Sequence, residues 1–341
     1  MKKWIAILSG LLLVQLVLAL AVNLTGDEYG AFESREKLLA FDRQALNGLR
    51  IEDEKQHVRL QRQDGKWLLS EEEGFPADGQ SVEGLLDKLA ALDKGWPVAT
   101  TGTAAKRFKV ADAQFERKLT LLAGDESLAE LYVGTSPGFR KAHVRPAGAD
   151  EIFAVAFNSW EASAKPDDWI DKDILKLDGD EVQQIEMPGV SLQRQDDRLR
   201  LTDLTAEEET DAEAVKNLLS KLTGLYILAS LGTQEKPEWR QDKPALEIRL
   251  VEQDGKTLNY RFSQPTEETY YVLKRSDIPY YLKVGAFSVK PFLETTREKL
   301  VRLKAADEDE PQTNVDESGS ATGGNAQEAA TADSDPSLQT D

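Results

Sequence analysis

The sequence predicts an α+β protein. It comprises one N-terminal transmembrane helix, two duplicated modules that each combine an antiparallel sheet with a helix, and a disordered acidic tail. Three observations carry that expectation: an uncharged run near the start, a pattern that recurs about 132 positions later, and an end that holds acids but no bases. They divide the chain into an anchor (1–24), a juxtamembrane linker (25–40), modules over 41–172 and 173–304, and the tail (305–341).

The anchor comes first. Lys2 and Lys3 precede an uncharged stretch from Trp4 to Val22 whose polar residues are Ser9 and Gln15. As a helix rising about 1.5 Å per residue it spans roughly 28 Å, the hydrocarbon thickness of a bilayer. A cleaved signal peptide competes, because Ala19-Leu20-Ala21 resembles a small-residue cleavage site. The leucine-rich stretch is longer than the roughly 7–15 residues of a signal core, which favours an uncleaved anchor. The lysines lie before the span and Asp27 and Glu28 soon after it. The positive-inside rule therefore leaves the N-terminus cytoplasmic and the rest outside. For a bacterium this means the inner membrane, with the main domain periplasmic.

The modules rest on a repeat. Leu60-Gln61-Arg62-Gln63-Asp64 recurs as Leu192-Gln193-Arg194-Gln195-Asp196. The helical stripe Val82, Leu85, Leu86, Leu89, Leu92 recurs as Val215, Leu218, Leu219, Leu222, Leu225. Upstream, Phe41-Asp42 with Leu46 and Leu49 corresponds to Leu177-Asp178 with Val182 and Ile185. Matches in one order at nearly one offset point to duplication rather than coincidence. Each copy reads as a hairpin, then a helix that begins near Asp78 or after Asp211, then a meander. The meander strands are expected at 118–122, 128–133, 142–145 and 152–157, and again at 245–252, 257–263, 270–274 and 280–284. Gly124-Asp125 and Asp254-Gly255 supply the turns. Clustered strands without alternating helices argue for an antiparallel sheet. Residues 158–175 connect the copies and 285–303 form a closing helical segment.

The tail, 305–341, holds ten acidic residues, no Lys or Arg and no aromatic residue. So little apolar surface cannot offset the entropy of ordering, which predicts disorder. Residues 1–304 then carry 42 basic and 51 acidic side chains. The total formal charge of −19 disfavours nucleic acid or an anionic lipid surface as the main partner. The chain has no cysteine and its histidines are His57 and His143. Disulfides, thiolate metal sites, thiol nucleophiles and multi-histidine centres are therefore excluded.

Candidate chemistry is sparse. Gly134-Thr135-Ser136-Pro137-Gly138 satisfies the G-x-S-x-G pattern of a nucleophile elbow. That elbow uses the N–H of the residue after the serine, and Pro137 has none. His143 also lies too near in sequence, so a turn between strands is the expected reading. Asp178-Gly179-Asp180-Glu181 lacks the register of a calcium loop and reads as a turn. The runs Glu71–Glu73 and Glu207–Glu209 read as exposed loops before each repeated helix. Tyr270, Tyr271, Tyr280, Tyr281, Phe287 and Phe292 read as core and cross-strand residues, with a sugar- or protein-binding face as the alternative. No nucleotide-binding loop or metal-ligand helix motif occurs. The chain is expected to be no enzyme, with no catalytic, cofactor-binding or metal-ligating residue.

Taken together, the anchor, the duplicated hairpin–helix–meander and two short motifs resemble one family. The motifs are Tyr132-Val133-Gly134-Thr135-Ser136-Pro137-Gly138 leading to His143-Val144-Arg145, and Trp169-Ile170-Asp171-Lys172-Asp173-Ile174-Leu175. The resemblance, over about residues 1–303, is to the domain-of-unknown-function family 4340. Its members often accompany an ABC transporter of the type described in gliding motility. The resemblance implies a non-catalytic accessory or scaffold subunit of such a transport complex. Its partners would be the bilayer, through residues 4–22, and the ABC permease with its associated subunits. A periplasmic glycan- or ligand-binding module is the alternative.

Overall fold

A computed structural model describes residues 36–304 together with Leu12, Val14 and Gln15. The expected span over residues 4–22 otherwise lies outside the described residues, as does the expected tail over 305–341. Among the described residues no helix is long and apolar enough to cross a membrane.

The first half of the described chain runs through β1 (Gly48–Glu52), β2 (His57–Gln63), β3 (Lys66–Leu69) and β4 (Phe75–Pro76). Helices α1 (Gly79–Ala91) and α2 (Gly102–Arg107) follow, then the short pair β5 (Val110–Ala111) and β6 (Gln114–Phe115). The meander β7 (Arg117–Ala123), β8 (Glu126–Val133), β9 (Ala142–Pro146) and β10 (Phe153–Val155) completes the half. The second half has β11 (Val182–Met187), β12 (Val190–Gln195), β13 (Arg198–Leu201), β14 (Glu208–Thr210), α3 (Ala212–Thr223) and β15 (Ala229–Ser230). It continues with β16 (Leu246–Glu252), β17 (Thr257–Ser263), β18 (Tyr270–Arg275), β19 (Tyr281–Gly285), α4 (Ala286–Leu293) and β20 (Val301–Leu303). The fold is α+β, dominated by antiparallel sheets with few helices.

Two eight-stranded sheets result, ordered β10-β9-β8-β7-β1-β2-β3-β4 and β13-β12-β11-β16-β17-β18-β19-β15. In each, the first strand of the half lies between its hairpin partner and a four-stranded meander. Pairing of β1 with β2 sets Leu49 opposite Leu60 and Ile51 opposite Val58; β11 with β12 sets Ile185 opposite Leu192 and Met187 opposite Val190. The pentapeptide that recurs in the sequence ends β2 and β12. It leads into turns whose two central residues, Asp64-Gly65 and Asp196-Asp197, all have positive φ. That geometry matches the right-handed twist of the strands and closes each hairpin in two residues.

The helices begin where the sequence places them. Asp78 accepts the backbone N–H of Ser81, and Asp211 accepts those of Glu213 and Ala214. Each carboxylate thus satisfies donors that the helix start leaves free. Val82, Leu85, Leu86 and Leu89 of α1, and Val215, Leu218 and Leu222 of α3, turn inward and are buried. After each meander the chain passes back over the helix as a strap. In the first half Trp169 C=O accepts Asp78 N–H at 2.8 Å, and in the second Leu300 C=O accepts Asp211 N–H at 2.8 Å. The closing segment 285–303 is helical through α4 and a single 3-10 turn, Arg297–Lys299. It then runs as a strap whose β20 pairs with β14.

Buried side chains from Leu38 to Leu300 form one hydrophobic cluster that draws on both sheets and both long helices. At the seam, Phe75 packs edge-on against Tyr280, with ring centroids 4.7 Å apart. The first strap joins the halves further: Asp171 N–H donates to Pro76 C=O, Ile227 N–H to Lys172 C=O, and the buried Arg275 guanidinium to the carbonyls of Ile174 and Leu175.

Candidate functional site

The groups that looked chemically capable are engaged in holding turns. Ser136 donates its hydroxyl proton to Gly138 C=O at 2.6 Å within an exposed turn. His143 is buried, and its ring stacks on Phe108 at 4.0 Å. Its Nδ1 lies 2.9 Å from Thr135 C=O. The Thr135 hydroxyl lies 3.0 Å from the same nitrogen, so Thr135 holds the ring in either tautomer: its carbonyl accepts from a protonated Nδ1 and its hydroxyl donates to a bare one. Among the described residues Ser136 and His143 form no hydrogen bond with one another. Asp178–Glu181 is a turn in which Asp178 accepts Asp180 N–H and Arg194 donates to Gly179 C=O. Among the described residues no cluster of three or more His, Asp or Glu side chains is arranged to hold a metal.

The acidic runs do more than face solvent. Glu73 stands at the seam: its carboxylate accepts Thr233 N–H at 2.8 Å and its carbonyl accepts the Tyr280 hydroxyl at 3.1 Å. Burial, with Asp167 nearby, raises the pKa of Glu72. In the second run Glu208 takes a two-pronged ion pair from Arg297, and Glu209 pairs with Arg302. Both contacts fasten the second strap. Of the six clustered aromatics, Tyr271, Tyr280, Tyr281 and Phe292 are buried, Tyr270 is half-buried beneath Lys283, and Phe287 is 92% exposed.

Exposed large apolar side chains mark a different surface. A groove of about 360 Å³ lies between α1 and the first strap, lined on the helix by Ser81, Gly84, Leu85 and Lys88. A second, of about 300 Å³, lies between α3 and α4 with the start of the second strap. Ala214, Asn217, Leu218 and Lys221 line it, each 133 positions after its counterpart. Trp160 stands on the first groove and Phe287 on the second, 75% and 92% exposed. Beyond the ends of α1 and α3 lie two further exposed pairs, Trp96 with Val98 and Tyr226 with Leu228. Water around so much aromatic surface is costly, at about 25 cal/mol per Å². Apolar side chains exposed at matching places in both halves are therefore candidates for contact with another molecule.

Charge at the grooves is mostly paired. Lys88 bridges to Glu161, and Asn158 also donates to that carboxylate. Burial acts to raise Glu161, but these two donors outweigh it and its pKa is lowered. In the second groove Lys290 pairs with Glu294. Sequence alone did not single out Trp96, Phe139 or Trp160. The available signal was local: Trp96 sits between Gly95 and Pro97, Phe139 in a Pro-Gly-Phe-Arg turn, and Trp160 between Ser159 and Glu161, all outside any apolar periodicity.

No curated protein and no solved structure matches the chain. The sequence profile described as a domain of unknown function (DUF4340) matches residues 67–244, somewhat more than half of the chain. The match begins in β3, crosses the first strap and ends just before β16, so it includes both motifs quoted for the resemblance. On that match the chain belongs to the DUF4340 family.

Proposed function

We propose that the chain is a membrane-anchored, non-catalytic contact protein of the bacterial envelope, an accessory or scaffold subunit of an ABC-type transport complex. The single observation that carries the contact role is the pair of helix–strap grooves with exposed aromatics, Trp160 on one and Phe287 on the other. The anchor at residues 4–22 and the periplasmic placement rest on the apolar run and its flanking lysines. The transporter rests on the company that members of the family often keep.

We also read the halves as two duplicated modules. The corresponding strand orders, the paired N-caps at Asp78 and Asp211 and the two straps support common descent of the halves. The glycan-binding alternative is the weaker reading, because four of the six aromatics on which it depended are buried.

The test is co-purification of the full-length chain from gently solubilised membranes. Recovery with a permease and its ATPase is the expected result, and Trp160→Ala with Phe287→Ala should lower that recovery together. Recovery as a lone monomer would overturn the reading.

A further inference from the structure

The first sheet ends on an open edge whose counterpart in the second sheet is covered. Strand β10 is outermost in its sheet, whereas β19, which lies beyond β18 in the second, carries β15 on its far side. His143 of β9 directs its N–H and C=O toward Thr135 and Gly134, on the β8 side. By antiparallel alternation Ala142 and Val144 bond to β10 through Val155 and Phe153, which leaves the N–H and C=O of Ala154 pointing outward. The neighbouring outward residue, Ile152, is bonded on both groups, to Ala99 C=O and from Val98 N–H. Among the described residues Ala154 has no such partner. At the covered edge Leu228 N–H reaches Lys283 C=O, and Tyr281 exchanges bonds with Leu231 and Gly232.

The cause of the difference lies after the helices. Beyond α3 the chain arrives at Leu228 within a few residues and covers β19. Beyond α1 it pairs instead with the N-terminal segment, Leu38 N–H donating to Leu92 C=O and Lys94 N–H to Glu36 C=O. It meets the sheet edge only at Val98. A groove of about 510 Å³ is left beside β10, lined by Ala154, Val155 and Ala156 and by Lys88, Lys94, Lys141 and Asp93. Edge strands are usually protected by shortness, a proline, a bulge, an inward charge or a covering loop. Strand β10 is short and its Ile152 end is covered by 98–99, but Phe153-Ala154-Val155-Ala156 has no proline or charge, and its alanines leave the backbone accessible. In a chain of net charge −19 the groove is locally basic. The Lys94–Glu36 pair is exposed enough to exchange at little cost, whereas Lys88 is held by the largely buried Glu161 carboxylate. Lys141 has no carboxylate partner among the described residues. Trp96 and Phe139, 80% and 85% exposed, lie within two residues of groove-lining positions.

We propose that the open edge of β10 takes up an extended acidic segment of a partner protein as an added strand. Ala154 supplies the backbone hydrogen bonds, the groove lysines select negative charge, and Trp96 and Phe139 meet apolar side chains of the segment. This edge shares Lys88 with the first helix–strap groove but otherwise lies apart from both grooves, and it stands whichever complex the chain joins.

The test places the photoreactive residue benzoylphenylalanine at position 156 of the full-length chain in its native membrane. The expected result is an adduct to a second, different polypeptide whose crosslinked peptide carries net negative charge. Adduct yield should fall at least tenfold in Ala154→Pro. Proline removes the outward N–H and spares the bonds to β9, and edge strands tolerate it there. Lys141→Glu should lower the yield several-fold, and it leaves the backbone intact should the proline variant fold poorly. Adducts only to lipid, to this same chain or to a second copy of it would overturn the proposal, as would no adduct or a yield that both substitutions leave unchanged. Absence of any adduct from a chain that still co-purifies with a permease would sink this edge while leaving the broader reading in place.

Discussion

A Cβ on Gly134 would lie 2.0 Å from the carbonyl oxygen of Phe108 and 2.4 Å from that of Lys109. Both contacts are backbone, so neither side can yield without moving a strand end. Thr135 N–H donates to the same Phe108 carbonyl, and Gly134 N–H to that of His143. The glycine is present because three segments meet there, not to expose a nucleophile. Gly134→Ala should therefore cost about 3 kcal/mol or more, the upper range for overpacking, read as a lowered midpoint in urea unfolding. Ser136→Ala, which loses only bonds within an exposed turn, should cost under about 1 kcal/mol. Equal midpoints for the two variants would remove this account of the motif. The sequence already argued against an elbow through Pro137, but it could not disclose the close approach of 108–109, because that contact is made by chain distant in sequence and carried by backbone atoms.

At the scale of elements, what was legible followed local rules. The two long helices and their Asp caps, the hairpin turns and the eight meander strands emerge within a residue or two of their expected ends, since periodicity and turn chemistry are written in neighbouring residues. Helix α2 was not legible. Its six residues carry no apolar period, and its start depends on Thr101 accepting the N–H of Ala104. Nor was the pairing of β14 with β20, which needs partners about ninety residues apart. The caps allow a paired prediction: Asp78→Ala and Asp211→Ala should each cost about 1 kcal/mol, measured as the shift in denaturation midpoint, because each carboxylate does the same task. The straps differ in their response to acid. Hydrogen bonds from Arg297 and Thr205 lower Glu208 from 4.5 to about 2. Its folded value is the depressed one, so its contribution is full above pH 4.5 and lost as the pH falls toward 2. Burial raises Asp167 and Asp171 of the first strap, each with a neighbouring acid assisting. Their folded values are the elevated ones, so protonation stabilises that strap and the benefit disappears as pH rises. Acidification should thus speed amide exchange in 301–303, after correction for intrinsic rates, and slow it in 169–172. Parallel behaviour of the two segments would refute the assignment.

Across the whole molecule, the repeat suggested two modules but not how they meet. Residues that join the halves, such as Glu73, Phe75, Arg275 and Tyr280, carry no mark distinguishing them from ordinary loop and core positions. Complementarity at a seam is a property of two surfaces, and a single sequence gives each without the other. Here the apolar part of the seam is continuous with both cores, so neither half can lose its packing without exposing the other. The described region should therefore unfold in a single cooperative transition, with tryptophan fluorescence and far-ultraviolet circular dichroism coinciding in urea. Trp67 and Trp169 report on the first half and its strap, and Trp239 on the second. Phe75→Ala and Tyr280→Ala should each shift that one transition and should not split it. Their double-mutant cycle should show about 0.5–1.5 kcal/mol of coupling, as expected for an edge-on aromatic pair. Two separated transitions, or additive effects of the two substitutions, would mean that the halves are independent bodies and that the seam contributes nothing to the fold.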